Sequence, residues 1–309
     1  MANTNTSTTF PVTVHEYPSA QPGRFVHAYE HGVSSTTPAT NALVFIGGLG
    51  DGPHGVPYVR TIARTIAHEA GLDFSVFEVR LSSSFSGWGY GSLAQDVKEI
   101  GRFVGYLRAT MGKKKVVLMG HSTGCQDCLE YLDTGKYVAA APGVDGVILQ
   151  GPVSDREAMG LGVGAEEVER CAGFARAMVL EGRGEEIVPR GMVEDVLGDT
   201  PVSAYRLWSL AAVGGDDDYF SSDLPDDRVT AIWGRLRQPV LIVPSANDEF
   251  VPKEVDVDAL VRKWMSYCRP PAVVSELSGL IPGANHRVDD ATSQGWLAER
   301  VVRFLAGLD

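Results

Sequence analysis

The chain has 309 residues, of which 44% are hydrophobic and 21% charged, a composition that is ordinary for a globular protein. The 27 lysines and arginines are outnumbered by 39 aspartates and glutamates, so the formal net charge is −12. Affinity for nucleic acid depends largely on neutralising phosphate groups. Neither a nucleic acid nor an anionic membrane surface is therefore expected as a partner.

Cysteine use and the start of the chain indicate the compartment. Four cysteines are too few for a disulfide scaffold. Cys125 and Cys128 have the C-x-x-C spacing of redox or metal sites, but no second Cys/His pair has metal-ligand spacing, so we expect both on one helix face. Residues Met1–Thr9 have no apolar signal core, and no stretch approaches the roughly 18 apolar residues of a membrane helix. These features predict a soluble, cytoplasmic protein.

Strand and helix patterns alternate along most of the chain. Apolar and β-branched runs predict strands at Phe10–Tyr17, Arg24–Glu30, Leu43–Ile46, Phe74–Val79, Val116–Met119, Val147–Leu149, Val240–Val243 and Ala272–Leu277, the first two as an antiparallel hairpin. Helical patterns lie between them, at Tyr58–Ala70, Leu93–Leu107, Cys125–Asp133, Glu254–Tyr267 and Thr292–Leu308. This alternation predicts an α/β protein whose mostly parallel central sheet has helices on both faces.

Residues 153–237 interrupt the alternation. They contain helical patterns at Ala165–Glu181, Glu185–Leu197 and Val202–Ala212, but no clear core strand. We therefore predict a core formed by 1–152 and 238–309, and a helical lid formed by 153–237. Aromatic side chains of this segment could wall a pocket: Phe174, Tyr205, Trp208, Tyr219 and Phe220. The alternative is a helical decoration packed away from the site.

An acidic segment closes the predicted lid. Six of its twelve positions are aspartate: Asp216, Asp217, Asp218, Asp223, Asp226 and Asp227. Such a run is usually a solvated loop. The alternative is that these carboxylates lie at the mouth of the site and attract a cationic substrate.

The sequence Gly120-His121-Ser122-Thr123-Gly124 follows a predicted strand and precedes a predicted helix. This is G-x-S-x-G in the strand–turn–helix context that exposes a serine hydroxyl, so Ser122 is the predicted nucleophile. The alternative is a serine that caps the helix N-terminus.

A serine hydroxyl needs a base, and the base needs an orienting acid. Of the seven histidines, only His286 lies after Ser122 in the chain, so it is the predicted base. Asp248 follows the strand Val240–Val243 and is the predicted acid, with Glu249 as the neighbouring alternative.

Two backbone N–H groups should stabilise the developing oxyanion. One is predicted at Thr123, directly after the nucleophile. The other should come from the glycine-rich loop after Leu43–Ile46, where we favour Leu49 over Gly48. The alternative for this loop is a plain strand-to-helix turn.

The segment Gly87-Trp88-Gly89-Tyr90-Gly91 resembles a dinucleotide fingerprint but lacks the full G-x-G-x-x-G pattern. A flexible aromatic loop at the rim of the site is the better interpretation. The residues expected to contact the substrate are Gly48, Trp88, Tyr90 and His121.

Four motifs together resemble the α/β-hydrolase superfamily and, within it, the fungal SidJ-type siderophore esterases. They are Phe45–Gly52, Ser86–Gly89, Leu118–Asp127 and Leu149–Arg156. The resemblance implies an intracellular serine hydrolase that cleaves ester bonds of fusarinine-type hydroxamate siderophores. No metal or organic cofactor is expected for catalysis, and any iron would belong to the substrate.

Three alternatives stay open at this point. One is a general carboxylesterase or thioesterase acting on small or lipid-like acyl groups. A second is another reaction of the same triad, such as that of a lyase. The third is a non-catalytic binding protein built on this fold.

Overall fold

The computed structural model describes residues 9–19, 23–32, 38–133, 136, 142–270 and 274–308. Within them seven strands form one sheet in the order β1-β2-β4-β3-β5-β6-β7. The strands are β1 (Val12–Pro18), β2 (Phe25–His31), β3 (Asn41–Ile46), β4 (Phe74–Val79), β5 (Val116–His121), β6 (Gly146–Gln150) and β7 (Val240–Val243). β1 and β2 form an antiparallel hairpin that joins β4, and the pairs from β4 to β7 are parallel. The predicted fold class and hairpin are confirmed.

Ten helices accompany this sheet in the described part of the chain. They are α1 (Tyr58–His68), α2 (Leu93–Ala109), α3 (Gly124–Tyr131), α4 (Asp155–Val163), α5 (Ala165–Leu180), α6 (Glu194–Leu197), α7 (Ala204–Ala211), α8 (Asp226–Trp233), α9 (Val257–Tyr267) and α10 (Ala291–Ala306). Side-chain caps define several starts: Ser92 accepts a hydrogen bond from the Gln95 N–H before α2, and Asp290 accepts two before α10. No helix among these residues is both long enough and apolar enough to cross a membrane.

The sheet is buried on both faces, as its continuous apolar strands predict. β3 shows this directly, because Val44 and Ile46 belong to a cluster with α2, α3, α8 and α9, whereas Leu43 and Phe45 belong to a cluster with α1 and α10. Alternate residues of a strand point to opposite faces, so one strand contributes to both clusters. Cys125 and Cys128 are fully buried free thiols of α3, as predicted for a structural helix face.

The segment between β6 and β7, residues 153–237, consists of α4–α8 and is called the insertion below. Its first part packs α5 against α7 around a separate apolar cluster that includes Ala175 and Leu207. Its last part packs on the sheet instead, and the Trp233 ring of α8 stacks on Trp264 of α9 with 5.2 Å between centroids. The insertion therefore divides between a layer of its own and the main core.

Two predicted elements differ from the structure, and two helices form where the sequence pattern predicts none. No strand forms over 274–277, where Val274 makes a single parallel bridge to Val240; Ala272 lies outside the described residues. The predicted helix Glu185–Leu197 is reduced to a 3₁₀ turn at Arg190–Met192 and the short α6, because Pro189 disfavours the helical conformation of the residue before it. Helices α4 and α8 were not predicted, since glycines interrupt the pattern of α4 and aspartates begin α8.

Candidate active site

Ser122 lies in a sharp turn between β5 and α3. Its φ is +54°, in the left-handed region that a serine rarely adopts, and its N–H donates a hydrogen bond of 3.1 Å to the Gln150 carbonyl. Glycine is required on both sides: a Cβ at Gly120 would collide with the Gly124 carbonyl, and one at Gly124 with the Ile46 carbonyl. The turn has the geometry by which a strand–serine–helix motif raises the serine hydroxyl above the sheet.

The loops after β7 bring His286 and Asp248 together. His286 Nδ1 lies 2.7 Å from Asp248 Oδ2, and both side chains are at most 5% exposed. Glu249, the alternative acid, instead accepts the backbone N–H of His286 at 2.8 Å through its Oε2. The geometry thus distinguishes the two neighbours, with Asp248 at the ring and Glu249 at the main chain.

Ser122 and His286 share a cleft of about 530 Å³. The sheet side contributes Leu49, Asp51, His121, Phe250 and Arg287 to its wall. The insertion contributes Val153, Asp155, Ala158, Met159, Gly162, Val163, Asp195, Val196 and Leu197. The Phe250 ring meets the His286 ring edge-on at 4.8 Å, which shields the imidazole on that side.

The loop after β3 approaches the serine closely. A Cβ at Gly48 would lie 2.6 Å from the Ser122 Cβ, so only glycine fits there. The Gly48 N–H donates to Asp51 Oδ2 at 3.1 Å, whereas the Leu49 and Thr123 N–H groups have no acceptor among the described residues. The Leu49 and Thr123 N–H groups are therefore free to donate hydrogen bonds to a ligand oxygen, and the Gly48 N–H is not.

His121 is buried beneath the serine and is 1% exposed. Burial, together with the neighbouring His286, lowers the pKa of His121 to about 3, so the ring is neutral at ordinary pH. Its Nδ1 lies 2.6 Å from Gln150 Oε1, which also accepts the Tyr58 hydroxyl. His121 contacts the cleft as a neutral ring that this network holds in place.

Sequence reasoning missed three residues that brace the site. Asp51 accepts Arg287 Nη1 at 3.0 Å and thereby joins the loop after β3 to the loop that carries His286. Gln150, at the end of β6, links His121 to Ser245. No local pattern marks these positions, because each contact joins segments that are distant in sequence.

The structure does not bring Trp88 and Tyr90 to the described cleft wall. They belong to a 3₁₀ turn, Phe85–Tyr90, rather than to a flexible loop. Trp88 is 9% exposed and packs in the apolar cluster of the insertion, while Tyr90 is exposed on the surface. Of the four predicted substrate contacts, His121 lines the cleft and Gly48 adjoins Ser122.

The aromatic side chains of the insertion are likewise absent from the described cleft wall. Tyr219 and Phe220 are buried in the main core. Trp208 lines a separate cavity of about 670 Å³ between the insertion and Pro252. The wall that faces Ser122 from this side is mostly aliphatic, so the predicted aromatic wall is wrong.

At Asp217 and Asp218 the acidic segment forms neither a solvated loop nor a charged rim of the cleft. Asp217 is 2% exposed and accepts Arg206 Nη1 at 2.7 Å and the Ser209 hydroxyl at 2.5 Å. Asp218, 4% exposed, accepts the Ser221 hydroxyl and the Gly214 N–H. Both carboxylates have internal partners, so they are not available to attract a cation at the mouth of the cleft.

Arg206 is a buried cation among several acids. The groups that raise its pKa are the carboxylates of Asp217, Asp96, Asp127 and Asp155. Burial in turn raises the pKa of Asp96 to about 7. Asp155 lines the cleft, and burial raises the pKa of its carboxyl well above the usual range. A compact polar centre thus joins the insertion to α2 and α3 beside the cleft.

The sheet order, the turn at Ser122 and the His286–Asp248 pair define the class: the protein is an α/β hydrolase. The solved structure "Siderophore hydrolase EstB from Aspergillus fumigatus" is similar, with a TM-score of 0.80 and 30% identity over 97% of this chain and 98% of that one. The "Fusarinine C esterase sidJ" of the same species is 32% identical over 89% of this chain and 91% of its own length. A Schizosaccharomyces pombe relative, "UPF0613 protein PB24D3.06c", is 35% identical over 97% of this chain and 98% of its own.

The chain belongs to the family described as "Protein of unknown function (DUF1749)", which it matches over residues 3–306. The resemblance to siderophore esterases that its motifs indicate is confirmed by these relatives. Together the relatives support an esterase of the α/β-hydrolase type.

Proposed function

We propose that the protein is a serine esterase that hydrolyses esters of fusarinine-type hydroxamate siderophores through an acyl-enzyme. The observation that carries the proposal is the His286–Asp248 pair in the cleft that holds Ser122. The siderophore substrate is supported by the names of two relatives that cover nearly the whole chain.

In the first step, Ser122 Oγ attacks the ester carbonyl and His286 takes its proton. Asp248 keeps the proton of the imidazole on Nδ1, which leaves the other ring nitrogen free to act as the base. The Leu49 and Thr123 amides stabilise the oxyanion of the tetrahedral intermediate, because neither is engaged by another described group. His286 then returns the proton to the alcohol, which leaves.

In the second step, His286 takes a proton from water, and the resulting hydroxide attacks the acyl-enzyme. As the intermediate collapses, the bond from the acyl carbon to Ser122 Oγ breaks, His286 returns its proton to Oγ, and the acid is released. The insertion acts as a lid over this site, since α4 and α6 supply the aliphatic wall opposite the serine. This wall limits access of water and gives the apolar part of the substrate a surface to bind.

The nucleophile is tested with Ser122→Ala. Turnover of fusarinine esters and nitrophenyl esters should fall by about 10⁵–10⁶-fold, because the triad acts as a unit. Ser266→Ala, on the exposed face of α9, is the matched control and should keep wild-type rates. A fluorophosphonate probe should label the wild type and the control but not the Ser122 variant. Equal labelling of all three would exclude Ser122 as the nucleophile.

The substrate is tested by comparing kcat/KM for iron-free and iron-loaded fusarinines with values for simple acyl esters of increasing chain length, with products identified by mass. Cleavage of the simple esters alone would leave a serine esterase with a different substrate. Binding of fusarinines without turnover of any ester would favour the non-catalytic alternative.

A further inference from the structure

A second group of histidine and carboxylate side chains lies apart from the described wall of the cleft. His31 ends β2, Glu78 lies near the end of β4, and His54 lies in the loop between β3 and α1. Glu78 and His31 are 1% and 5% exposed. The proposed ester hydrolysis does not use any of them.

The three side chains converge on one point. One ligand atom from each residue lies within 4.8 Å of the other two. Glu78 Oε1 lies 2.5 Å from His31 Nε2 and 2.9 Å from His54 Nδ1. The other carboxylate oxygen, Oε2, accepts the backbone N–H of His54 at 2.7 Å. Two imidazoles therefore point at one carboxylate oxygen that the backbone holds in place.

His54 is held in an unfavourable state for a histidine without a ligand. Its φ is +69°, a strained value for a residue with a Cβ. Its Nδ1 lies 2.9 Å from Glu78 Oε1, whereas its buried Nε2 has no hydrogen-bond partner among the described residues. The rings of Phe10 and Tyr29 each meet the imidazole edge-on at 5.2 Å and hold its orientation. Buried polar atoms without partners are rare in native proteins, and they indicate a role that the protein alone does not fill.

We propose that His31, His54 and Glu78 form a binding site for a divalent transition-metal ion, with Zn²⁺ the best match. Imidazole nitrogen and carboxylate oxygen bind Zn²⁺ at about 2.0–2.2 Å, whereas Ca²⁺ and Mg²⁺ prefer oxygen ligands throughout. Each imidazole binds as a neutral ring whose proton moves to its other nitrogen. The ligand atoms need only separate slightly to admit the ion, and the His54 side chain, 24% exposed, is the ligand nearest to solvent.

The position of this site suggests what the ion does. It would join β2 and β4 to the loop that also carries Gly48, Leu49 and Asp51. Fixing that loop would hold the Leu49 amide beside Ser122, a consequence that rests on the proposed function. The metal site itself does not rest on it, because binding can be measured without substrate.

The test uses the full chain, stripped with a chelator, dialysed and titrated with Zn²⁺ against a competing chelating dye. We expect one Zn²⁺ per chain and an increase in Tm on binding. His54→Gln and Glu78→Gln should each weaken binding by about tenfold or more, since the first removes an imidazole ligand and the second removes the negative charge of the carboxylate ligand. Bound Co²⁺ should give the visible absorption of nitrogen and oxygen coordination in wild type only.

His15→Gln is the matched control. His15 Nε2 lies 2.9 Å from Glu30 Oε2 on the β1–β2 hairpin that also carries His31, a His–Glu pair without a second histidine among the described residues. Unchanged zinc affinity in this variant, with loss in the His54 variant, supports the site. If Glu78→Gln fails to fold, His54→Gln alone decides, because it alters a loop residue. Wild type that binds Zn²⁺ no more tightly than His54→Gln, or equal losses in the His15 control, would overturn the proposal whether or not the protein cleaves esters.

Discussion

At the residue scale, two adjacent acidic residues contact different parts of His286. Asp248 contacts Nδ1 of the ring, whereas Glu249 accepts the backbone N–H. Asp248→Asn should lower kcat/KM by about 10³–10⁴-fold, because the amide no longer selects the required tautomer. Glu249→Gln keeps an acceptor for the backbone N–H, so its loss should stay below about tenfold. Steady-state kinetics of both variants on one nitrophenyl ester is the measurement.

The reverse ranking of these two variants would identify Glu249 as the orienting acid. Sequence alone could place an acid after β7 but could not choose between Asp248 and Glu249. A shift of one position along the loop changes which of the two side chains points toward the imidazole ring. It also could not reveal Asp51, Gln150 and Arg287, whose hydrogen bonds form only when two loops and the ends of β5 and β6 meet at one edge of the sheet.

At the element scale, one buried cation, Arg206, holds α7 in position. Arg206 donates to Asp217 and, through Nε, to the Trp88 carbonyl at 3.2 Å, which joins α7 to the 3₁₀ turn. Arg206→Met should lower the free energy of unfolding by about 3–5 kcal/mol, because it leaves buried carboxylates without their cation. Urea unfolding followed by circular dichroism measures the change.

Arg183→Met is the control for this variant. Arg183 pairs with Glu181 and Glu186 on the surface, and exposed pairs contribute less than about 1 kcal/mol. Equal destabilisation by both variants would mean that the buried centre around Arg206 does not fasten the insertion.

The helices α4 and α8 were hard to predict because residues that are typical of loops occur in them. Glycines at 160 and 162 hide the helical pattern of α4, which Ser154 nevertheless starts by capping the Glu157 N–H. The aspartates at 226 and 227 suggest a loop, yet they favour the N-terminus of α8, where the helix dipole stabilises negative charge. Packing against α9 then secures that helix in the core.

At the scale of the whole molecule, acid stability should report the buried state of His121. The pKa of His121 is about 3 in the folded protein and 6.5 in the unfolded chain. Between these two pH values the imidazole is therefore protonated only in the unfolded chain. The contribution of His121 to folding is fully present above pH 6.5 and declines as pH falls toward 3, by at most about 1.4 kcal/mol per pH unit.

The measurement is the free energy of unfolding from pH 4 to pH 8 for wild type and His121→Asn, which keeps a donor toward Gln150. The wild-type advantage should be constant above pH 7 and shrink as the solution is acidified. The same substitution at His68, exposed at the end of α1, is the control. A difference that does not change between pH 7 and pH 4 would contradict a neutral, buried His121.

The sequence by itself determined the class of fold, because strand and helix periodicity and the G-x-S-x-G motif are local patterns that survive without knowledge of contacts. It also limited the proposed triad: the G-x-S-x-G motif indicated Ser122, chain order indicated His286, and the end of the strand Val240–Val243 indicated an acid near 248. Only the tertiary structure shows which side chains are buried. Asp217 and Asp218 are buried with hydrogen-bond partners inside the insertion, and the aromatic residues of the insertion do not line the described cleft wall. It alone brought His31, His54 and Glu78 together, since these residues lie on separate segments and no spacing rule links them.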